Sequence, residues 1–393
     1  MPSHNNRLII SVAGSGKTTY LVNQAMKVRN GQVLITTYTE ANEQEIKNKF
    51  MQLHKCIPAH VTIQTWFSLL IQHGVKPFQG QLFPEKINGM ILVSGQSGVK
   101  YTTKAGINVI FSEETDFKNH YMTSGNKLYS DKLSKFVVRA NQKSEGSVIN
   151  RFSNIFTDIF IDEVQDLAGN DLEFIKLLLK SKSRVLMVGD PRQVTYLTHN
   201  EKKNSQFKDG NIKDFILEKC KSRCCVDEET LTFSHRNNLP ICEFSSRLYP
   251  AFQVSKPCSC EDCRIEANDH LGVFLVNSKD LENYTLKFRP TVLRYQLSGE
   301  NEWNFGACKG LGFDRVLIYP TAGMLKYLRD GLLEHTFQQK KKKAFDIAKL
   351  YVAVTRARYS VAFLCEDTSG NFIDGISKWS FLTNRNPTLF ESD

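Results

Sequence analysis

Ser11-Val12-Ala13-Gly14-Ser15-Gly16-Lys17-Thr18 sets glycines, a lysine and a hydroxyl at the spacing of a phosphate-binding loop. The chemistry is that of holding a triphosphate. Glycines let backbone N–H groups approach phosphate oxygens, and a helix opening behind the loop adds a favourable dipole. Lys17 would neutralise the β- and γ-phosphates of ATP. Ala13, Gly14, Ser15, Gly16, Lys17, Thr18 and Thr19 are therefore the expected nucleotide-binding residues, with Thr18 also on Mg²⁺. The first position is Ser11, where the general pattern has Gly.

A second constellation is Phe160-Ile161-Asp162-Glu163-Val164-Gln165-Asp166, carboxylates just past an apolar run. In open parallel sheets ligands bind at the carboxyl ends of strands. Asp162 is placed to hold Mg²⁺ through water, and Glu163 to orient and deprotonate an attacking water. A third is Cys258-Ser259-Cys260-Glu261-Asp262-Cys263. Zinc takes four tetrahedral ligands. The three cysteines would need a fourth, from Cys224, Cys225 or His270, and the alternative is a set of free thiols in a loop.

Positioning the first two constellations takes strands and helices in alternation. Leu8–Val12 reads as a buried strand, Thr18–Val28 as a helix, Gln32–Thr37 as a strand and Glu40–Met51 as a helix. That βαβ start predicts a parallel α/β sheet. Residues 70–150 are rich in Gly, Ser, Lys and Asn and read as an insertion or small subdomain. The α/β pattern returns with a strand at Ile155–Ile161, a helix at Asp171–Leu179 and a strand at Arg184–Val188. A second α/β unit is expected from about residue 215, with strands Val273–Val276, Thr291–Arg294, Arg315–Tyr319 and Ser360–Leu364. The expected division is 1–214 and 215–393, the second part carrying a short Cys-containing insertion at about 250–270.

The 393 residues suffice for two or three domains, and their net charge of +10 suits a polyanionic partner such as nucleic acid. No apolar run approaches the roughly 18–20 residues that span a bilayer. No signal peptide is visible, so a cytosolic location is expected and the ten cysteines are expected as thiols.

The order of motifs resembles the UvrD/Rep/PcrA family of superfamily 1 DNA helicases, in a compact form. Ala13–Thr18 looks like motif I, Thr37-Tyr38-Thr39 like Ia, and Thr65-Trp66-Phe67-Ser68 like Ib. Asp162–Asp166 looks like motif II, Gly189-Asp190-Pro191-Arg192-Gln193 like III, and Phe233-Ser234-His235-Arg236 like IV. Lys309-Gly310-Leu311-Gly312-Phe313-Asp314 looks like motif V, and Tyr351–Ala357 like VI. The resemblance implies two RecA-like P-loop domains, each with a parallel sheet. It implies that Gln193 senses the γ-phosphate, and that Arg236 and Arg356 are arginine fingers reaching across a cleft between the domains. Guanidinium suits that task because it meets phosphate oxygens bidentately. His235 stands where relatives place an adenine-stacking Tyr.

The same resemblance makes Tyr38, Thr39, Trp66 and Tyr196 the DNA-contacting residues, the aromatics as faces on which bases stack. The basic run Lys340–Lys343 is a further phosphate contact to consider. This chain departs from relatives in three places. Gly312 replaces a usual Glu, Thr198 stands where a Trp is common, and none of the ten residues before Ser11 is the adenine-reading Gln. About 70 residues separate Arg236 from Lys309, where larger relatives insert a helical subdomain. The expected activity is ATP-driven movement on single-stranded DNA, 3′ to 5′, with Mg²⁺. The alternatives are a nucleotide-dependent DNA-binding switch, a viral replication or recombination helicase, or a UvrD-like subunit of an antiviral defence complex. The last would need a nuclease partner, since no nuclease signature is visible.

Overall fold

A computed structural model describes residues 6–195, 198, 203–263, 269–296, 299, 301–337 and 340–381, the side chains of 335–337 and 340–342 excepted. The chain divides into two compact units, Met1–Ser11 with Gly16–Leu231, and Val12–Ser15 with Thr232–Asp393.

The first unit is built on six strands: β1 (Arg7–Ile10), β2 (Val33–Thr37), β3 (Val61–Thr65), β4 (Asp158–Ile161), β5 (Arg184–Gly189) and β6 (Cys225–Asp227). They lie in the order β6-β1-β5-β4-β2-β3, and every pairing is parallel. Parallel strands covered on both faces read as continuous apolar runs. Alternate residues supply two cores. Ile9, Val33, Ile35, Phe160 and Val188 pack with Leu21, Val22 and Ala25 of helix α1 (Lys17–Met26) and with Ile46 and Phe50 of α2 (Glu40–His54). Leu8, Ile10, Leu34, Ile159, Ile161 and Met187 pack on the other face with Phe136, Phe152 and Phe174. Those three come from α3 (Leu133–Lys143), α4 (Ser147–Ile155) and α5 (Asn170–Leu178).

Three expectations change here. The first unit runs to Leu231 rather than ending at 214, because β6 adds beside β1 with Arg7 opposite Cys225. The irregular region is also shorter than 70–150. Leu133, Phe136, Val137 and Ala140 follow helical spacing and are buried in the core. What remains between is a set of short strands, Gly89–Ile91 with Lys127–Tyr129 and Val99–Thr102 with Asn108–Ile110. Glu113 ties this region to α3, accepting from Lys135 and Arg139 at 2.7 Å each. Ile155 ends a helix rather than starting a strand.

The second unit opens with a two-residue pair, β7 (Phe233–Ser234) and β8 (Lys256–Pro257). Its main sheet holds β9 (Gly272–Asn277), β10 (Thr291–Arg294), β11 (Glu302–Asn304), β12 (Phe313–Tyr319), β13 (Ala357–Cys365) and β14 (Ile376–Trp379). The order is β11-β10-β12-β13-β9-β14, again parallel throughout. Val273, Leu275, Val316, Ile318, Val361 and Phe363 face helix α6 (Leu239–Arg247) and the apolar helix α7 (Ile347–Thr355). Val276, Leu317 and Ala362 face Tyr284 and Trp379 on the other side. The fold class is thus α/β with two parallel six-stranded sheets of the RecA-like P-loop kind. No helix among the described residues is long and apolar enough to cross a membrane.

Candidate nucleotide-hydrolysis site

The phosphate loop leaves β1 at its carboxyl end. Ser11 is anchored there, its backbone N–H and its hydroxyl both donating to the Gly189 carbonyl at 2.9 Å. This explains how Ser replaces Gly at the loop's first position. Gly14 and Gly16 have φ of 72° and 78°, a region that favours glycine. α1 starts at Lys17 with no acidic side chain in its first turn and no side-chain cap. Its leading N–H groups are therefore not taken by a capping side chain. The Ser15 hydroxyl is buried with no hydrogen-bond partner. A buried orphan hydroxyl is costly, and a phosphate oxygen would satisfy it. The loop residues thus fit a nucleoside triphosphate.

The acids stand at the end of β4, as expected of strand carboxyl ends. Asp162 and Glu163 are both buried, and Lys17 Nζ lies 3.9 Å from Glu163 Oε1. Asp162 Oδ1 accepts the Glu163 backbone N–H at 2.9 Å. Burial first, and then the neighbouring Glu163 charge, push the Asp162 carboxyl well above its ordinary range, with Lys17 opposing. A pocket that disfavours its own carboxylates fits a divalent cation. Thr18 and Asp162 are the residues that would hold it. Thr18 Oγ1 donates to Glu45 Oε1 at 3.4 Å, which brings a third carboxylate, from α2, to the same place.

Glu163 has φ 51°, a left-handed conformation uncommon outside glycine, and it aims a buried carboxylate beside Lys17. Gln165 holds that carboxylate by donating from Nε2 to Glu163 Oε2. Its Oε1 accepts the Asp190 backbone N–H at 3.1 Å. A Cβ on Gly189 would fall 2.3 Å from that same oxygen, so a side chain here would push the Gln165 amide off its partners. Asp190 in turn accepts from Gln193 Nε2 at 2.8 Å and from Arg192 Nε at 2.7 Å, while Arg192 also donates to the Ser11 carbonyl at 2.8 Å. Glu163, Gln165, Asp190 and Gln193 therefore form one continuous buried hydrogen-bonded chain. The sequence reading missed Gln165, Asp190 and Glu45. The amides and acids inside motifs II and III were the available signal for the first two.

In the second unit Arg236 follows β7 and is half-buried, donating from its guanidinium to the Thr355 carbonyl at 3.3 Å. A Cβ on Gly312 would stand 3.3 Å from Arg236 Nε, so the residue that replaces the relatives' Glu leaves room for this guanidinium. Asn237, also missed in sequence, pins the turn by donating to the Thr355 and Ala357 carbonyls at 3.1 and 2.7 Å. Arg356 is buried and donates to the Val352 and Leu311 carbonyls at 3.2 and 3.1 Å. The structure thus gives each arginine backbone partners within its own unit.

Among the expected DNA contacts, Tyr38 is half-buried, edge-on to Phe67 at 5.3 Å. Burial, with Asp171 and Asp166 nearby, pushes its phenol up to about 12. Thr39 caps α2, accepting from the Asn42 N–H at 3.2 Å. Trp66 is a correction. It is 1 % exposed, its Nε1 donates to Asp171 Oδ1 at 2.8 Å, and it stacks edge-on with Phe174. A ring sealed in the core offers no face to a base. Asp171 also accepts from the hydroxyls of Ser134 and Thr198, so Thr198 is a core polar partner. Tyr196 lies outside the described residues. Lys340–Lys343 forms a strand paired antiparallel with Glu334–Phe337.

The fourth partner of the cysteines is not among those expected. Cys224 and Cys225 lie in or beside β6 of the first unit. His270 is sandwiched between Phe274 and Phe288 at 3.8 and 3.9 Å, with Nε2 2.8 Å from Tyr284 Oη. The group beside Cys258, Cys260 and Cys263 is His235, and the four ligand atoms lie within 4.8 Å of one another.

The AAA_19 family, an AAA domain, matches residues 2–199. No curated protein matches significantly. Among solved structures, the chain is similar to Arterivirus nonstructural protein 10 (helicase) in complex with DNA, at 16 % identity and TM-score 0.45, over 93 % of this chain and 62 % of that one. A crystal structure of Arterivirus nonstructural protein 10 (helicase) aligns at 16 % identity and TM-score 0.44, over 93 % and 60 %. The PRRSV helicase aligns at 16 % identity and TM-score 0.40, over 92 % and 53 %. The chain spans about three fifths or less of the length of these helicases. With a phosphate loop, an acidic strand end and a family match over half its length, the chain belongs to the AAA_19 family of AAA domains, the kind found in UvrD/Rep-like superfamily 1 helicases.

Proposed function

We propose that the chain is an ATP-hydrolysing motor that moves along single-stranded DNA, by family likeness from 3′ to 5′. The observation that carries the hydrolytic part is the buried group at the end of β4, Lys17 beside Glu163, with Glu163 held by Gln165. Bound Mg-ATP would supply the electrophilic phosphorus and a cation to draw off its charge. Ala13 to Thr19 bind the phosphates, and Lys17 lies against the outer ones. Thr18 and Asp162 hold the cation. Glu163 orients a water and takes its proton. Gln193 registers the terminal phosphate, and its bond to Asp190 ties that position to Glu163 through Gln165. Arg236 and Arg356 supply positive charge to the transferring phosphoryl group.

The support for a nucleic-acid track is the ordered set of eight motifs, the net charge of +10, and Tyr38 half-exposed after β2. Two assays on the intact chain test the reading. ATP turnover is compared with no nucleic acid, single-stranded DNA, duplex DNA and RNA, and streptavidin is displaced from a biotinylated DNA end. A motor hydrolyses fastest on single strands and clears streptavidin from one end only. ATP binding without displacement from either end would overturn the motor in favour of a nucleotide-dependent switch. Clearance from the opposite end would overturn the polarity alone.

A further inference from the structure

We propose that His235, Cys258, Cys260 and Cys263 form a tetrahedral zinc site that locks the turn carrying Arg236. The four side chains place their ligand atoms within 4.8 Å of one another. His235 Nδ1 lies 3.4 Å from Cys263 Sγ and 3.7 Å from Cys260 Sγ. Zinc bonds of about 2.3 Å to sulfur and about 2.0–2.1 Å to nitrogen put adjacent S and N ligands of a tetrahedron about 3.6 Å apart. The observed separations bracket that edge. Three cysteines and one histidine are a closed structural set, with no position left for a reacting water. Thiolate donors favour zinc over magnesium or calcium.

The local fold explains why a metal is needed. β7 and β8 are two residues each, joined to the cluster by the Cys258 N–H donating to the Ser234 carbonyl at 2.9 Å. Cys260 and Cys263 are joined by a single turn, the Cys263 N–H reaching the Cys260 carbonyl at 3.3 Å. Such a short pair cannot hold itself in water. Among the described residues flanking the cluster, the large apolar side chains of Phe233 and Val254 are more than half exposed. Metal–ligand bonds would supply what this loop lacks in buried apolar surface. Binding takes zinc in as the dication and releases the three thiol protons to solvent. His235 binds through Nδ1 and keeps its proton on Nε2.

The site has a consequence for the next residue. Arg236 is bonded to His235, and its N–H reaches Ser234 Oγ at 3.4 Å. Asn237 fastens the far side of the same turn to the Thr355 and Ala357 carbonyls. Zinc fastens the near side, so the arginine projects from a turn clamped at both ends. His235 is then a metal ligand first, rather than a freely rotating ring for a base.

The test uses the full chain, purified without chelator or affinity histidines from zinc-supplemented medium. Elemental analysis should find about one zinc per chain, and replacement by cobalt should give the intense visible bands of a tetrahedral thiolate site. His235→Cys should keep the metal and shift the cobalt bands toward a four-sulfur spectrum. Cys260→Ser and Cys263→Ser should lose it, while Cys56→Ser, at an exposed thiol elsewhere, retains it. Three results would each overturn the proposal. They are metal-free protein whose cobalt titration stays octahedral, His235→Ala with wild-type zinc content and cobalt spectrum, or a disulfide among the three cysteines in protein kept reduced. The cobalt spectrum of the unaltered chain decides the matter even if the serine variants fail to fold.

Discussion

The two six-stranded sheets end in opposite chemistry. At the carboxyl ends of the first, Asp162, Glu163 and Asp190 are buried acids held by side chains and by each other's backbone, through Gln165, Gln193 and Arg192. In the second unit Arg236 and Arg356 are cations held by main-chain carbonyls of Thr355, Val352 and Leu311. The difference follows from what each charge needs. A desolvated carboxylate wants donors, and the few backbone N–H groups free past a strand end, such as that of Glu163 on Asp162, are supplemented by side chains. A guanidinium wants acceptors, which carbonyls at a helix end, such as Val352 and Thr355, and in a turn, such as Leu311, offer whatever their side chains. The acid side is therefore a network of side chains that fails together, while the guanidiniums lean on main-chain carbonyls.

The largest effects should fall on the acid side. Lys17→Ala should bring ATP turnover to background, and Glu163→Gln should lower it by about 10²–10⁴-fold while nucleotide still binds. Turnover near wild type in either variant would remove that residue from the chemistry. Gln165→Ala should copy a good part of the Glu163 defect, because both ends of its amide are used. If it left turnover untouched, the idea of one connected network would fail.

Next come the arginines. Arg236→Ala and Arg356→Ala should each slow turnover by about 10³-fold or more if they act as fingers. They should differ in stability. Arg356 is buried at 2 % exposure and fills two carbonyls, so its loss should cost roughly 1–3 kcal/mol in urea unfolding, with little cost for half-buried Arg236. Equal stability losses would erase the distinction between the two.

The smallest effect concerns protons. Burial and Glu163 raise the folded Asp162 above its ordinary 3.8, so the folded chain holds that proton more tightly than the unfolded one. Its contribution to stability is present at low pH and is lost as pH rises from about 4 through the raised value. Asp162→Asn should therefore raise the Tm of the nucleotide- and metal-free chain at pH 7.5 by about 2–4 °C, with the gap closing toward pH 4. Thermal unfolding that shows no gap at pH 7.5 would mean the pocket tolerates the ionised pair.

The readable part of this molecule was the part written in contiguous residues. A phosphate loop needs glycine, lysine and a hydroxyl at fixed spacing behind a strand, and acids at a strand end follow an apolar run, because backbone geometry sets both. The strand Val33–Thr37 announces itself by unbroken apolar and β-branched residues, and Thr291–Arg294 by the same up to its last residue. Residues that matter through distant partners did not show. Gln165, Asn237 and the pairing of His235 with Cys258 depend on elements that meet only in the fold. Trp66 misled because an indole is equally at home under a base or in a core. The division at Leu231 was hidden because β6 is three residues long, too short for any period. The spacing of Leu133, Phe136, Val137 and Ala140 was legible and was submerged in a polar stretch.

The sealed indole of Trp66 has one more use. The chain has three tryptophans, and Trp66 is the one hydrogen-bonded to Asp171, which also grips Thr198 just past Gln193. With Trp303 and Trp379 replaced by Phe, emission would come from this single reporter. A change in its wavelength on adding nucleotide would read out, without any dye, whether the strand end that holds Gln193 loosens its grip on the interior.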